Sequence, residues 1–280
     1  MNYRHAFHAG NFADVLKHVV LTRIVEYLKR KEAGFFVLDT HAGRGRYDLR
    51  GEEAERTGEA IVGIGRLFGV AVPESVRPYL DAVGAVQDER EALRWYPGSP
   101  RIVRALMRPQ DRLFAAELHP EDAAALKAEF AGDRRVRTFA IDGYQAIKAY
   151  LPPSERRGLV LIDPPFESAD EFSRLVSALG DGLKRWATGT FLAWYPIKHR
   201  RQVDDFLSET AVSCRPRPTL CIELLLRRPD GILLAGCGLV VVNPPFVLEE
   251  EMSGLLPFLA KALRDGPAPT TRLEWLNAPP

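Results

Sequence analysis

The segment Phe35–Gly45, with the sequence FFVLDTHAGRG, joins a short apolar run to a glycine-bearing turn. The four apolar residues Phe35–Leu38 are typical of a strand that is buried on both faces of a sheet. The turn Asp39–Gly45 follows directly, and its two glycines permit backbone conformations that side chains disfavour. This pattern predicts the first strand of a parallel sheet, followed by a loop at its carboxyl end where a ligand can bind.

The chain on either side of this segment extends the same pattern. Before it, Asn11–Lys31 has apolar residues at helical spacing, with Asn11 as the expected N-cap and Gly34 as the expected stop. After it, apolar runs alternate with helical segments; these runs are Leu113–Glu117, Val136–Ile141, Leu159–Ile162, Thr190–Trp194, Cys221–Leu226 and Gly238–Val242. We therefore expect an α/β fold with a mostly parallel, seven-stranded sheet covered by helices on both faces.

One interval departs from this rhythm. Between Gly45 and Leu113 lie about 65 residues, whereas a strand–helix–strand unit needs only about 30. The stretch 46–95 is helical in pattern, so we expect a small helical insertion there within one domain that spans residues 1–280. The proline-rich tail, with Pro267, Pro269, Pro279 and Pro280, is interpreted as an ordinary terminus.

Bulk composition narrows the class of protein. The chain has 280 residues and a net charge of +1, which argues against a protein that coats polyanions but allows a local basic patch. Three widely spaced cysteines fit neither a disulfide framework nor a zinc site. The first ten residues lack the apolar core of a signal peptide, and Gly231–Val242 is too short to span a membrane. We expect a cytoplasmic monomer, since no coiled-coil or edge-pairing segment stands out.

Informative residues follow four successive strands, at the edge where ligands bind in such sheets. The types and positions of these residues predict a binding site for S-adenosylmethionine. Gly43 and Gly45 let the backbone approach the ligand, and Glu117 is placed to accept hydrogen bonds from both ribose hydroxyls. Asp142 would accept the adenine amine, and Gly143 would leave room for the ring. The spacing Asp-x-x-x-Gly-x-Gly differs from the loop that binds the pyrophosphate of a dinucleotide, so a nicotinamide-dependent oxidoreductase is disfavoured.

The tetrapeptide Asp163-Pro164-Pro165-Phe166 gives the strongest indication of chemistry. The N6 amine of adenine is a poor nucleophile, because its lone pair is delocalised into the ring. The Asp163 carboxylate and the Pro164 carbonyl can each accept one of its N–H groups, which makes the nitrogen more nucleophilic. Phe166 can stack on the extruded base. Asp163, Pro164 and Phe166 are therefore the expected catalytic residues, and Phe166 is also expected to bind the substrate.

A similar tetrapeptide, Asn243-Pro244-Pro245-Phe246, occurs later in the chain. It follows Gly238–Val242, which is expected to run antiparallel to the other strands and so to end at the opposite edge of the sheet. Asn243 is therefore interpreted as a structural turn.

Other polar residues complete the expected site. His41 lies inside the turn, and His18 is placed on the polar side of the first helix within reach of it; both are candidate cofactor contacts, and no metal is expected. Lys198, which follows a strand end, is a candidate phosphate contact. Tyr3 and Arg4 could stack on and pair with a nucleic acid.

The sequence resembles the bacterial RlmJ family, 23S ribosomal RNA adenine-N6 methyltransferases, almost from end to end. The resemblance is carried by the motifs Tyr3–Asn11, Leu38–Tyr47, Tyr96–Pro100, Glu117–Pro120 and Asp163–Phe166. It implies a Rossmann-like, class I S-adenosylmethionine-dependent methyltransferase that acts on one adenosine of 23S rRNA. It further implies cofactor contacts from His18, His41, Ser99, Glu117, Asp142 and Gly143, catalysis and a cofactor contact by Asp163, and a substrate contact by Tyr3. Relatives often carry Tyr where this chain has Phe166; the phenyl ring keeps the stacking face, and only the hydroxyl is lost.

Two alternatives share the fold. A DNA adenine-N6 methyltransferase would use the same tetrapeptide with another substrate surface. A catalytically silent fold that only binds RNA is disfavoured, because Asp163, Glu117 and Asp142 are all present.

Overall fold

The computed structural model of the chain describes residues 5–88, 93–266 and 268–279. The helices are α1 (Phe12–Lys29), α2 (Glu52–Thr57), α3 (Glu59–Val62), α4 (Arg77–Gly84), α5 (Ser99–Leu106), α6 (Pro120–Glu129), α7 (Gly143–Tyr150), α8 (Glu171–Arg185), α9 (Arg200–Ser213) and α10 (Leu248–Ala262). The strands are β1 (Phe36–Asp39), β2 (Arg46–Asp48), β3 (Trp95–Pro97), β4 (Arg112–Ala116), β5 (Val136–Phe139), β6 (Gly158–Ile162), β7 (Thr190–Ile197), β8 (Thr219–Leu225), β9 (Gly236–Val242) and β10 (Thr270–Asn277).

The main sheet has the strand order β10-β8-β9-β7-β6-β1-β4-β5. Neighbours from β7 through β5 pair in parallel, while β9 is antiparallel to both β7 and β8, and β10 is antiparallel to β8. The chain moves outward from β1 to β4 and β5 on one side, and from β6 to β7 on the other. This change of direction creates a crevice beside β1, which is where doubly wound sheets bind ligands. The expected α/β class and the reversed strand before Asn243 are confirmed.

The strand count is a correction: this sheet has eight strands where seven were expected. The additional strand, β10, lies in the tail that was interpreted as an ordinary terminus. Its partly buried Leu273 and Trp275 pack against the core beside one face of the sheet. Apolar and polar residues alternate over only a few positions of β10, and prolines flank the strand. Its sequence pattern was therefore weak.

The first helix is almost wholly buried, which fixes it as the central support of the site. Asn11 caps it as expected, because its side chain accepts hydrogen bonds from the N–H groups of Ala13 and Asp14 at 2.9 and 3.0 Å. The helix ends at Lys29, well before Gly34. The Arg108 guanidinium binds the carbonyls of Lys29, Lys31 and Ala33, so an arginine from a distant segment satisfies this end of the helix.

The segment between Gly45 and Leu113 holds a two-stranded ladder and several short helices. Strands β2 and β3 pair antiparallel, with Arg46 opposite Pro97 and Asp48 opposite Trp95. Along the chain, helices α2 to α4 come between these two strands. Gly63 presses this segment against the start of α1, since a Cβ at Gly63 would lie 2.1 Å from the Gly10 carbonyl oxygen. The helices are therefore held directly beside the first helix.

Residues Cys214, Cys221 and Cys237 are all buried. Burial raises the pKa of the Cys214 and Cys221 thiols to about 12, which leaves them protonated and unreactive at neutral pH. Within the three described ranges, none of the helices combines the length and the apolar character needed to cross a membrane.

Candidate active site

A cavity of about 1010 Å³ opens at the carboxyl ends of β1, β4, β6 and β7. It brings together most of the residues expected at the site, namely His18, His41, Gly43, Ser99, Glu117, Asp142, Gly143, Asp163, Pro164, Phe166 and Lys198. The expectation for Gly45 was wrong: it does not line the cavity but packs on α6, where a Cβ would lie 3.3 Å from side-chain atoms of Leu126 and Glu129. Tyr3 and Arg4 lie outside the described residues. Residues that are far apart in the sequence thus form one continuous wall.

The glycine turn is held in place by the carboxylate of Glu117. The N–H of Gly43 donates to Glu117 Oε2 at 2.8 Å, and the N–H of His119 donates to Oε1 at 2.7 Å. Gly43 has a φ of +59°, and a Cβ there would lie 2.0 Å from the Tyr47 hydroxyl oxygen, so only glycine fits. Burial raises the pKa of Glu117. Each oxygen of this carboxylate keeps one further lone pair for a ligand hydroxyl.

His41 lies beside the start of α7. The Thr40 hydroxyl donates to the Leu161 carbonyl at 2.9 Å, and its oxygen lies 2.8 Å from His41 Nδ1. Because the Thr40 proton is already used, His41 Nδ1 carries the proton in this bond, and Nε2 is left as an acceptor. Burial lowers the pKa of His41 to about 4, so the ring is neutral at physiological pH.

Gly143 and Asp142 form the start of α7 at the same wall. A Cβ on Gly143 would lie 2.2 Å from the Thr40 carbonyl oxygen and 2.8 Å from His41 Cε1, so this position tolerates no side chain. Asp142 caps the helix by accepting the Gln145 N–H at 3.0 Å, and its other oxygen lies 3.6 Å from an Arg174 guanidinium nitrogen. Part of its hydrogen-bonding capacity is therefore used within the protein.

His18 does not lie on a polar helix side, as the sequence suggested, but is buried at 1% exposure. The helix has little solvent-facing surface here, because the insertion covers it. His18 Nδ1 lies 2.6 Å from the Tyr96 hydroxyl, and that hydroxyl lies 3.0 Å from the hydroxyl of Tyr79. If Tyr79 donates to Tyr96 and Tyr96 donates to His18, both hydroxyl protons of this buried chain have acceptors. Nε2 then carries the imidazole proton.

The two nitrogens of His18 thus differ in role. Burial holds the pKa of His18 well below its ordinary value, so the ring is neutral. Its Nε2 is buried and has no hydrogen-bond partner within the described ranges, although the residue lines the cavity. A buried N–H without an acceptor is costly, which indicates that a ligand supplies the acceptor.

Asp39, at the end of β1, was not singled out from the sequence as a site residue. It is fully buried near the Ser99 hydroxyl, yet neither carboxylate oxygen makes a well-formed hydrogen bond with a residue in the described ranges. Burial raises its pKa to about 7, and the Asp163 charge adds to this, while Ser99 and Lys17 oppose it. A buried carboxylate in this state is suited to a cationic ligand group.

Asp163 is held by a lysine that the sequence analysis also missed. Lys17 Nζ lies 2.5 Å from Asp163 Oδ2 and 2.7 Å from Asp14 Oδ1. His5 Nε2 and the Gly10 N–H each lie 2.9 Å from Asp14 Oδ2. Burial alone would lower the pKa of Lys17, but the two facing carboxylates outweigh it and hold this pKa well above its ordinary value. Lys17 is therefore a permanent cation behind Asp163.

An aromatic group surrounds the tetrapeptide. Phe166 adopts a φ of +50°, a left-handed conformation that is uncommon outside glycine and that aims this side chain away from the usual path. Its ring packs edge-on against Phe172 and Trp194, at centroid distances of 4.9 and 5.7 Å. All three residues line the cavity. The cavity therefore offers an apolar surface for a planar group next to Asp163.

Asn243 lies away from this cavity, as its strand direction predicted. Its side-chain amide donates to the carbonyls of Ala187 and Gly189 at 3.1 and 2.8 Å, so it fastens a loop at the opposite edge of the sheet. Within the described residues, no group of three or more His, Cys, Asp or Glu side chains is arranged to hold a metal ion.

Comparison with known proteins agrees with this geometry. Residues 32–277 match the family model described as "Ribosomal RNA large subunit methyltransferase D, RlmJ". The chain is 45% identical to ribosomal RNA large subunit methyltransferase J of Haemophilus influenzae and 43% identical to that of Escherichia coli, with 99% of each chain covered in both cases. It also resembles the crystal structure of protein LPL1258 from Legionella pneumophila at 33% identity and a TM-score of 0.88, covering 95% of this chain and 98% of that one. By sequence and by fold, this chain therefore belongs to the RlmJ family of ribosomal RNA large subunit methyltransferases.

Proposed function

We propose that this enzyme transfers a methyl group from S-adenosylmethionine to the N6 amine of one adenosine in 23S ribosomal RNA. The observation that carries this proposal is the carboxylate of Asp163, which is fixed by Lys17 at the end of β6, next to the Pro164 carbonyl and the ring of Phe166. Family membership supplies the reaction class. The cavity supplies the hydrogen-bond acceptors that an exocyclic amine requires.

Unpaired groups in the cavity wall, together with Asp39 buried behind that wall, match the polar parts of S-adenosylmethionine. Asp39 is suited to its ammonium group, and the His18 Nε2–H together with Ser99, at the start of α5, to its carboxylate. Glu117 is suited to the ribose hydroxyls, and Asp142 with Gly143 to the adenine. When bound, the cofactor supplies an electrophilic methyl group on a sulfonium. We assign Gly43 and His41 to the wall that encloses it.

The chain's own part in the reaction is to orient the amine. Lys17 occupies Asp163 Oδ2, which leaves Oδ1 to accept one N6–H, while the Pro164 carbonyl accepts the other. Two acceptors placed this way draw the nitrogen lone pair out of conjugation and toward the methyl donor. The contact with Lys17 fixes the orientation of the Asp163 carboxylate, so Asp163 acts first as an acceptor. It takes the proton only after the nitrogen has become cationic.

The remaining residues are assigned to the nucleic acid. Phe166, supported by Trp194, stacks on the extruded base, and the exposed Lys198 at the cavity edge contacts a phosphate. Tyr3 and Arg4 contact the RNA from the N-terminal segment. We further propose that residues 1–280 form one monomeric, cytoplasmic methyltransferase domain, in which 46–95 is a helical insertion subdomain.

The test is transfer of labelled methyl groups to unmodified 23S rRNA, followed by digestion to nucleosides. Wild-type enzyme should produce N6-methyladenosine, and Asp163→Ala should lower the rate by about 10²-fold or more while still binding S-adenosylhomocysteine. Asn243→Ala, at the opposite edge of the sheet, is the control. Duplex DNA is offered in parallel. Methylation of DNA in preference to rRNA would replace the proposal by a DNA methyltransferase, and methylation of neither by a protein that only binds RNA.

A further inference from the structure

The connection between β8 and β9 carries two large apolar side chains in solvent. Ile232 is 78% exposed and Leu233 is 53% exposed, at the tip of the loop 226–235. Leu233 also lines the cavity that contains Asp163. Exposed aliphatic residues at the entrance of a binding cavity indicate contact with an apolar part of a ligand.

Hydrogen bonds hold the loop in a defined shape, so Ile232 and Leu233 stay exposed and do not pack onto the protein. Asp230 accepts hydrogen bonds from the N–H groups of Ile232 and Leu233 at 2.9 and 3.1 Å. The Gly231 N–H donates to the Lys198 carbonyl at 3.1 Å. At its base, the N–H groups of Leu226 and Arg227 both donate to the Ala235 carbonyl, at 2.9 and 3.2 Å. A preorganised tip loses little entropy on binding.

The position of the tip relative to the catalytic residues follows from the sheet. Strand β7 pairs with β6, and Asp163 follows the last residue of β6. The last residue of β7, Ile197, lies opposite Gly236 of β9. The Ala235 N–H donates to the Ile197 carbonyl at 3.0 Å. The tip therefore stands at the same edge of the sheet as Asp163, with β7 between β9 and β6.

The surroundings of the tip indicate a polyanion as the partner. Lys198, Arg201, Arg227 and Arg228 are exposed beside it on the ends of β7 and β8 and at the start of α9. The carboxylate of Asp230, within the loop, accepts hydrogen bonds from two backbone N–H groups, and Asp265 at the cavity edge lies 3.5 Å from Arg227, so the cations still outnumber the carboxylates around the tip. Cations around an apolar tip match a nucleic acid, whose phosphates surround stacked bases.

We infer that Ile232 and Leu233 form a wedge that fills the space left in the RNA stack when the target adenosine turns into the cavity. This inference rests on the proposed function. An adenosine that moves next to Asp163 leaves its neighbours unstacked, which costs free energy. Aliphatic side chains in the gap replace the lost contacts, as apolar wedges do between base steps of bent duplexes. The flanking arginines and Lys198 hold the phosphates on either side.

The experiment compares two RNA fragments from the region of 23S rRNA that the wild-type enzyme methylates. One is intact, and in the other an abasic site next to the target adenosine removes its stacking partner. We expect the double substitution Ile232→Ser/Leu233→Ser to lower kcat/KM on the intact fragment about tenfold, and on the pre-opened fragment less than about twofold. A third fragment carries 2-aminopurine at the target position; its fluorescence rise on binding should shrink in the variant.

The matched control is Val212→Ser, since Val212 is an exposed aliphatic residue, at 68%, on α9 and is not one of the residues that line the cavity. Unchanged thermal melting and unchanged S-adenosylhomocysteine affinity identify folded variants. Equal activity of double variant and wild type on the intact fragment overturns the wedge. Equal losses on both fragments overturn it as well, because the tip would then serve binding alone. Absence of wild-type methylation on any rRNA fragment is a separate result that removes the proposed function.

Discussion

Lys17 Nζ and Asp163 Oδ2 lie 2.5 Å apart, although 146 positions separate the two residues in the chain. This contact joins the central buried helix to the carboxyl edge of the sheet. Lys17 is 5% exposed and Asp163 is 14% exposed, so water screens their interaction only weakly. The orientation of the candidate catalytic group is therefore fixed from α1, which also carries His18.

Replacing Lys17 should lower the rate of methyl transfer. Lys17→Met removes the side chain that holds Asp163 Oδ2, so we expect kcat to fall at least about tenfold. Lys17→Arg keeps a cationic donor at this position and should retain more of the activity. Because Asp14 also loses its contact with Lys17, unfolding curves must accompany the kinetics. Wild-type kcat in the folded Met variant would contradict the assigned role.

Tyr96 is expected to set the tautomer of His18. Tyr96→Phe removes the hydroxyl that faces His18 Nδ1, so the proton is no longer directed to Nε2. We expect S-adenosylhomocysteine to bind about tenfold more weakly, while 5′-methylthioadenosine, which lacks the amino acid part, binds as before. Nitrogen chemical shifts of the imidazole report the tautomer directly. Tyr79→Phe removes the next hydroxyl of this hydrogen-bond chain and is the control, with a smaller effect expected. Equal weakening of both ligands by Tyr96→Phe would argue for a general packing defect.

Asp39 should couple cofactor binding to protons. Burial raises its pKa to about 7 from an ordinary value of 3.8, so the folded free enzyme loses stability as pH rises through this window. A bound ammonium group stabilises the carboxylate, and binding near pH 7 should therefore release a proton. Calorimetry in two buffers of different ionisation enthalpy measures this release. Asp39→Asn should abolish it, bind S-adenosylhomocysteine about tenfold more weakly and be the more stable protein at pH 8.

His41 should make the protein sensitive to mild acid. Burial lowers its pKa from 6.5 to about 4, so the unfolded chain binds the proton more readily in this range. The stability that neutral His41 provides is complete above about pH 6.5 and falls as pH decreases toward 4. Between pH 7 and 5 this amounts to about 2 kcal/mol. Urea unfolding of wild type and His41→Gln at both pH values should show a smaller loss in the variant; identical losses would assign the effect to other groups, such as His18.

Asn243→Asp tests which tetrapeptide is catalytic. The substitution makes the second tetrapeptide identical to the first, but a carboxylate cannot donate to the carbonyls of Ala187 and Gly189. We expect a loss of about 1–3 kcal/mol in stability and no change in kcat per folded molecule. Methyl transfer by Asp163→Ala/Asn243→Asp, measured on unmodified 23S rRNA, should remain at the background level. Recovery of activity in this double variant would show that the second tetrapeptide reaches the substrate.

The fold could be predicted because its signals are local. Continuous apolar runs identify buried parallel strands, and polar residues directly after them identify the binding edge, so Asp163, Glu117 and Asp142 could be chosen without a structure. Ser99 came only from the resemblance, since a Gly-Ser-Pro sequence by itself is an ordinary turn. β10 was missed because prolines flank it and its polar and apolar residues alternate only over Arg272–Trp275.

The electrostatic part of the site could not be predicted, because it depends on contacts between distant segments. A lysine in a helix is normally solvated, and nothing near Lys17 in the sequence shows that Asp163 will face it. The i, i+3 spacing of Asp14 and Lys17 within the apolar half of the helix was the available signal. The chain from Tyr79 through Tyr96 to His18 likewise appears only when the insertion is packed onto α1, which is also why His18 was wrongly placed on a polar face.

The β2–β3 ladder separates the length of the segment 49–94 from the position of α5. It brings the two ends of the segment 49–94 side by side, with Tyr47 opposite Tyr96, before the chain returns to the sheet through α5. The entropy of closing such a segment grows only with the logarithm of its length. The outer turns of this segment can therefore change in length at little entropic cost, while the ladder keeps the start of α5, with Ser99, in place at the cavity.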